Sequence, residues 1–229
     1  MPRPRLLRLG TDRLKGFWRR KSRLERVWAE REEKRYPALF GPDGEGIFPL
    51  GSDAFAPFGE AGTPDPRWLS AGVFRFSPTR DRPTWLHASS GLSNDWEGEG
   101  SPGLGHELVV ETPWRDDGAI RLLHGLIAYD LLIAHGRFGE PRTLEAGSRV
   151  NAPFHFDERG GIAGVMAAQG QRFSAGFLTE VGAVALLSCV GVSQEELDFA
   201  RANSSAALHE RLLAAGFDEV TDPGRLPVV

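Results

Sequence analysis

Apolar and polar positions alternate with period two in three stretches of the chain: Ala71–Ser77, Thr84–Ser90 and His106–Thr112. In the first, Val73 stands on one parity and Phe74 and Phe76 on the other. In the last, Leu108 and Val110 share a face, which leaves Glu107, Val109 and Glu111 on the opposite one. Alternation of this kind, bounded by Gly and Pro, is the strand pattern, and three such runs in succession predict an antiparallel sheet. Between the second and third runs lies a loop rich in Gly, Ser, Asp and Glu, in which Asp95, Glu97 and Glu99 surround Trp96. That composition cannot pack as core and predicts a surface loop able to carry contacts.

The period then changes. From Asp116 to His135 the residues Ile120, Leu122, Leu123, Leu126, Ile127, Leu131, Leu132 and Ile133 cover most of a helical circumference, predicting a helix central to the core. Asp116 or Asp117 caps its start and Gly136 ends it. Arg149–Phe156 and Ile162–Gln169 read as extended segments flanking a turn at residues 157–161. Val181–Val192 is the most apolar run and predicts a central strand. Ser193 followed by Glu196 is a capping box opening a helix to about Asn203, and a last helix covers Ser204–Ala215 before a Pro-rich tail. Upstream, Leu14, Phe17, Trp18, Leu24, Val27 and Trp28 recur at helical spacing, with a second capping box at Ser22 and Glu25. Residues 37–66, rich in Pro and Gly, predict an irregular covering segment pinned by Phe40, Phe48, Phe55 and Phe58. Strands in runs with helices inserted and appended define an α+β fold: a mostly antiparallel or mixed sheet, a central buried helix and C-terminal helices.

Charge divides the chain in two. Residues 1–35 hold 13 Lys/Arg against 5 Asp/Glu, whereas the remainder holds 14 against 26. The first part reads as a basic amphipathic helical extension, docked by its aromatic stripe or free to meet nucleic acid or lipid; residues 36–229 form the body. An acidic body favours a basic protein partner and disfavours nucleic acid except through the basic arm. The single cysteine, Cys189, sits in an apolar run and excludes an internal disulfide framework. The first ten residues lack the apolar core of a signal peptide, and the longest apolar run is too short to span a bilayer, so a cytoplasmic setting is expected.

No catalytic or cofactor motif emerges. His106 and Glu107 are neighbours on a strand and leave it on opposite faces. His124 and His135 are separated by three helical turns, roughly 16 Å, too far for one metal. The Gly98–Gly103 stretch lacks the lysine of a phosphate loop and carries acids that repel phosphate. No cofactor and no metal are expected. An enzyme site would have to be assembled from residues distant in sequence, such as His87, Glu107, His155 and Asp157. Glu107 has three readings: a solvated strand carboxylate, a structural carboxylate accepting loop backbone N–H groups, or a partner contact. Trp96 is either an aromatic anchor ringed by carboxylates or folds back onto the sheet.

Gly91-Leu92-Ser93 followed by Gly103-Leu104-Gly105-His106-Glu107-Leu108 resembles the suppressor-of-fused domain. So does the run Gly182–Val192 followed by Glu195-Glu196-Leu197 and Ala200, and together the two anchors extend the likeness from about Ala71 to Leu213. His106 stands where that family pattern usually has an aromatic, so local packing there is expected to differ. Animal members of the family bind and restrain transcription factors with this domain and a second one. The resemblance implies a stand-alone bacterial type, a non-catalytic protein-binding domain acting as an immunity protein that neutralises a toxin domain. Candidate partner-binding residues are Asp95, Trp96, Glu97, Glu99, Glu107 and His87.

Overall fold

The computed structural model describes residues 21–60, 65–151, 161–173, 175–217 and 219–229. Its centre is one mixed sheet in the order β1-β2-β3-β4-β8-β6-β5, with β7 paired to the start of β8. The strands are β1 Gly44–Pro49, β2 Gly72–Phe76, β3 Trp85–Ser90, β4 His106–Thr112, β5 Arg149–Asn151, β6 Gly164–Gln169, β7 Phe177–Thr179 and β8 Gly182–Val192. The expected trio β2, β3 and β4 is antiparallel, with His87 opposite Arg75 on one side and Val110 on the other. Strand β8 then pairs parallel to β4 and antiparallel to β6, which makes the sheet mixed. The expected α+β class, with a central helix and C-terminal helices, is what the chain adopts.

Helices cover both faces. On one lies α3, Asp117–Ala134, whose Asp116 side chain accepts from the Gly118 amide as the capping pattern predicts. Its leucines and isoleucines pack on Val73, Leu108, Val110, Leu187 and Cys189. On the other face, α4 Gln194–Ala202 and α5 Ser205–Ala214 bury Leu197, Leu208 and Leu212 against Met166, Val190 and Val192. From Leu186 onward β8 is therefore covered on both sides, which is why its sequence reads as a nearly continuous apolar run. Burying each such Leu or Ile contributes roughly 1.5–3 kcal/mol.

The rest of the second face belongs to the N-terminal region. Helices α1 Arg23–Trp28 and α2 Tyr36–Phe40 are joined without a break by a π-helical segment, Ala29–Arg35. The capping box of Ser22 and Glu25 is present as predicted. Tyr36 and Phe40 pack among Phe76, Leu86, Val109, Phe173 and Phe177. The division drawn at residue 35 thus falls inside one continuous helical rod, and the buried Val27, Arg31, Tyr36 and Phe40 make its docked side. Leu14, Phe17 and Trp18 lie outside the described residues.

Three features differ from the sequence expectation. The segment taken as irregular contains the edge strand β1 and a 3-10 turn, Ser52–Phe58, although its Phe55 is buried as expected. β7 is too short for period-two reading. The tail is anchored: the Thr221 amide donates to the Glu111 carbonyl, and its hydroxyl accepts from the Gly191 amide. Among the described residues no helix is long and apolar enough to cross a membrane.

Candidate functional site

The connection between β3 and β4 is organised by one carboxylate. Glu107 is fully buried. One oxygen accepts from the Gly91 amide (3.0 Å), the Ser93 amide (3.0 Å) and the Ser93 hydroxyl (2.7 Å). The other accepts from the Ser89 hydroxyl at 2.5 Å. Of the three readings of Glu107, the structural carboxylate holding the Gly-Leu-Ser turn is the one the geometry shows. The glycines of the motif have local causes. Gly91 has φ +140°, and a Cβ there would come within 2.6 Å of the Ala71 backbone. Gly103 has φ +53°, and a Cβ would meet the Leu92 and Asn94 carbonyls at 2.5 Å.

A second charge completes the knot. Arg31, one of the basic residues of the N-terminal region, is wholly buried and sits 3.4 Å from Glu107. Its guanidinium donates to the Ser90 and Ser93 hydroxyls, each at 3.0 Å, and to Glu32 at 3.3 Å. The signal was present: Arg31 follows Val27 by four residues and so continues the buried stripe. Trp28 donates from its indole to Asn94 Oδ1 at 3.0 Å. The rod and the loop therefore hold each other.

The candidate residues fall into two groups. Asp95 is buried, accepts from the Gly100 amide and meets Arg23 at 3.4 Å, so it closes the loop. Trp96 is half-buried and packs against the main core, as the fold-back reading has it. Glu97 and Glu99 are exposed, with Glu97 3.0 Å from Arg67. Glu107 and His87 present no surface for contact, because both are fully buried. Nor do those two meet: His87 lies opposite Val110 on one face of the sheet, and Glu107 emerges on the other with Val109. His155 and Asp157, the remaining members of the assembled enzyme alternative, lie outside the described residues. Among the described residues no three His, Cys, Asp or Glu side chains form a metal set.

Two buried histidines have opposite electrostatics. His87 finds no hydrogen-bond partner for either ring nitrogen among the described residues. Burial, then the neighbouring Arg75 charge, lowers its pKa to about 4. His106 is also penalised by burial, but its Nε2 lies 2.6 Å from Asp130 and its Nδ1 3.1 Å from the Leu104 carbonyl, and these partners raise its pKa. His106 thus forms a polar clip between β4 and α3. Asp130 was missed, although an acid on the apolar face of α3 was the available signal.

The stability consequences carry opposite signs. Unfolded His87 binds a proton near pH 6.5 and the folded one does not until about pH 4, so acidification through that window lowers stability by about 3 kcal/mol. The His106 contribution is complete below about pH 6.5 and is lost as pH rises through its raised folded value. Urea unfolding between about pH 4 and 8 is expected to show His87→Leu with a shallower acid limb and Asp130→Asn without the loss on the alkaline side. Parallel profiles for both variants and wild type would refute this assignment.

The fold is thus an α+β sheet whose buried ionic groups fix the loop between β3 and β4. The chain belongs to the suppressor of fused family: the family model described as Suppressor of fused protein (SUFU) matches residues 68–226. Solved structures of similar fold include a SUFU homologue from Neisseria gonorrhoeae FA 1090, 20% identical, with 69% of this chain and 78% of that one covered and a TM-score of 0.50. A chain of the Sufu-Fu complex is 18% identical, with 80% and 93% covered and a TM-score of 0.56. Drosophila Suppressor of Fused is 17% identical, with 70% of this chain and 44% of that one covered and a TM-score of 0.54. At these identities the likeness is one of fold. No curated protein matches the chain.

Proposed function

We propose that this domain captures a basic protein partner, and that it serves in the cytoplasm as an immunity protein neutralising a toxin domain by direct binding. The observation that carries the reading is the loop 91–105: Glu107 and Arg31 fix its base while Glu97 and Glu99 stand exposed at its tip. A preorganised acidic loop loses little conformational entropy on binding. The body behind it, with 26 acidic against 14 basic residues, steers a cationic partner toward encounter. The complex of a family relative with Fu supports a protein as the ligand class.

The tagged full-length chain, used as bait in its native cell extract at low and high salt, tests this. One stoichiometric basic partner, released by salt and toxic when expressed alone, is the expected outcome. With that partner in hand, the Glu97→Ala, Glu99→Ala double variant is expected to associate roughly tenfold more slowly at low salt, with a flatter salt dependence. Unchanged association kinetics would remove the loop from the binding face. Recovery of nucleic acid or lipid in place of a protein would transfer function to the basic residues before Ser22.

A further inference from the structure

A cleft of about 470 Å3 opens between the end of α2, the loop joining β2 to β3, and the residues after β6. None of its lining residues belongs to the loop 91–105. One wall is apolar: Leu39, itself exposed, with Phe40 and Phe173. The other carries Thr79, Arg82 and Arg172.

The two arginines are unusual in what they bond. Arg82 is buried, yet its guanidinium is held by main-chain carbonyls alone, those of Phe40 and Ser77 at 2.8 Å and that of Thr84. Among the described residues no carboxylate lies within ion-pair distance of it. Burial lowers its pKa, against the attraction of Glu111 and with a smaller repulsion from Arg172. Arg172 is partly exposed and meets Glu111 at 3.3 Å. Glu111 also accepts from the Thr84 hydroxyl, and burial raises its pKa. Asp81 stands exposed on the rim and Glu219 lies near Glu111. The cleft thus sets two guanidiniums against an apolar wall, with the buried Glu111 carboxylate behind Arg172 rather than in the lining. The exposed Arg172 guanidinium, which meets Glu111 through one nitrogen, matches a planar carboxylate, and the buried Arg82 adds positive charge behind it.

The geometry points to a binding site for an amphipathic carboxylate, its charged end toward Arg172 and Arg82 and its apolar body against Leu39, Phe40 and Phe173. Two sources share this chemistry: a free organic acid with an apolar tail, and the C-terminus of a polypeptide ending in an apolar residue. The site goes beyond the partner-binding reading and does not depend on it.

Titration of the full chain with octanoate and with N-acetyl-leucine, followed by amide chemical shifts, tests the site. Uncharged 1-octanol and N-acetyl-leucine amide, and inorganic phosphate, serve as comparators. The acids are expected to bind with a dissociation constant on the order of 1 mM, shifting residues 37–41, 79–82 and 170–173. Tighter binding of octanoate supports the free acid as natural ligand, and tighter binding of N-acetyl-leucine supports the chain terminus. Arg172→Met is expected to weaken binding at least tenfold. Because Arg172 also faces buried Glu111, the exposed Leu39→Glu provides an independent variant that repels the anion without disturbing the core, with the same expected loss. Octanol or phosphate binding as well as octanoate, unchanged binding by both variants, or no shifts up to about 10 mM would each overturn the proposal.

Discussion

Glu107→Ala is expected to cost at least about 3–5 kcal/mol, a large part of the total stability of about 5–15 kcal/mol that a domain possesses. The substitution removes the acceptor of two loop amides and two serine hydroxyls in one step. It also takes from the wholly buried Arg31 guanidinium its buried carboxylate 3.4 Å away, leaving only the partly exposed Glu32 at 3.3 Å as counter-charge. A buried donor without acceptor costs roughly 1–3 kcal/mol, and an abandoned buried charge costs more. Urea unfolding measures the loss as a fall in midpoint at constant slope. Glu107→Gln, which keeps shape and an acceptor oxygen, is expected to fall between alanine and wild type. Combined with Arg31→Met it should lose less than the sum of the two single losses, since no uncompensated charge then remains buried. An alanine variant within about 1 kcal/mol of wild type would sink the account of the loop.

The second large effect is expected at the other end of the sheet. Glu196→Ala removes the acceptor of the Ser193 amide at 2.9 Å and of the Val228 amide at 3.0 Å. It also strips Arg225 of contacts at 2.5 and 2.7 Å, although Arg225 still reaches the Gly191 carbonyl. Burial opposes ionisation of Glu196, but the hydrogen bond from Arg225 overcomes it and the pKa is lowered. The stabilisation is therefore present above the unfolded value near pH 4.5 and is lost as pH falls through the lowered folded value. Truncating one partner of a buried pair costs about 3–5 kcal/mol, and here it also frees the tail. Hydrogen exchange at Val228 and Gly191 reads the second consequence: both amides should exchange faster in the variant than global destabilisation alone explains. If only global exchange accelerated, the tail would be anchored by something other than Glu196.

The same residues show how far the sequence carried. The capping box of Ser193 and Glu196 is local, three residues of one chain segment, and period and spacing predict it. What Glu196 does with its second oxygen depends on Arg225, twenty-nine residues away. The Gly-Leu-Ser turn and the strand carrying Glu107 were legible, and so was the face on which Glu107 emerges, because strand parity is a property of the backbone. That the face is covered was not, since the cover is a helical rod whose π-helical middle brings a basic residue inward.

By itself the sequence determined most of the elements and their order, though not β1 or β7, together with the α+β class and the family, because periodicity, capping and turn chemistry are short-range. Only the tertiary structure decided which charges are buried and with whom: Arg31 on Glu107, His106 on Asp130, Arg225 on Glu196. The free energy of a charge depends on what replaces its water, and that replacement comes from segments tens of residues away. The same dependence separated the acidic loop into Asp95, folded inward, and Glu97 and Glu99, exposed at its tip.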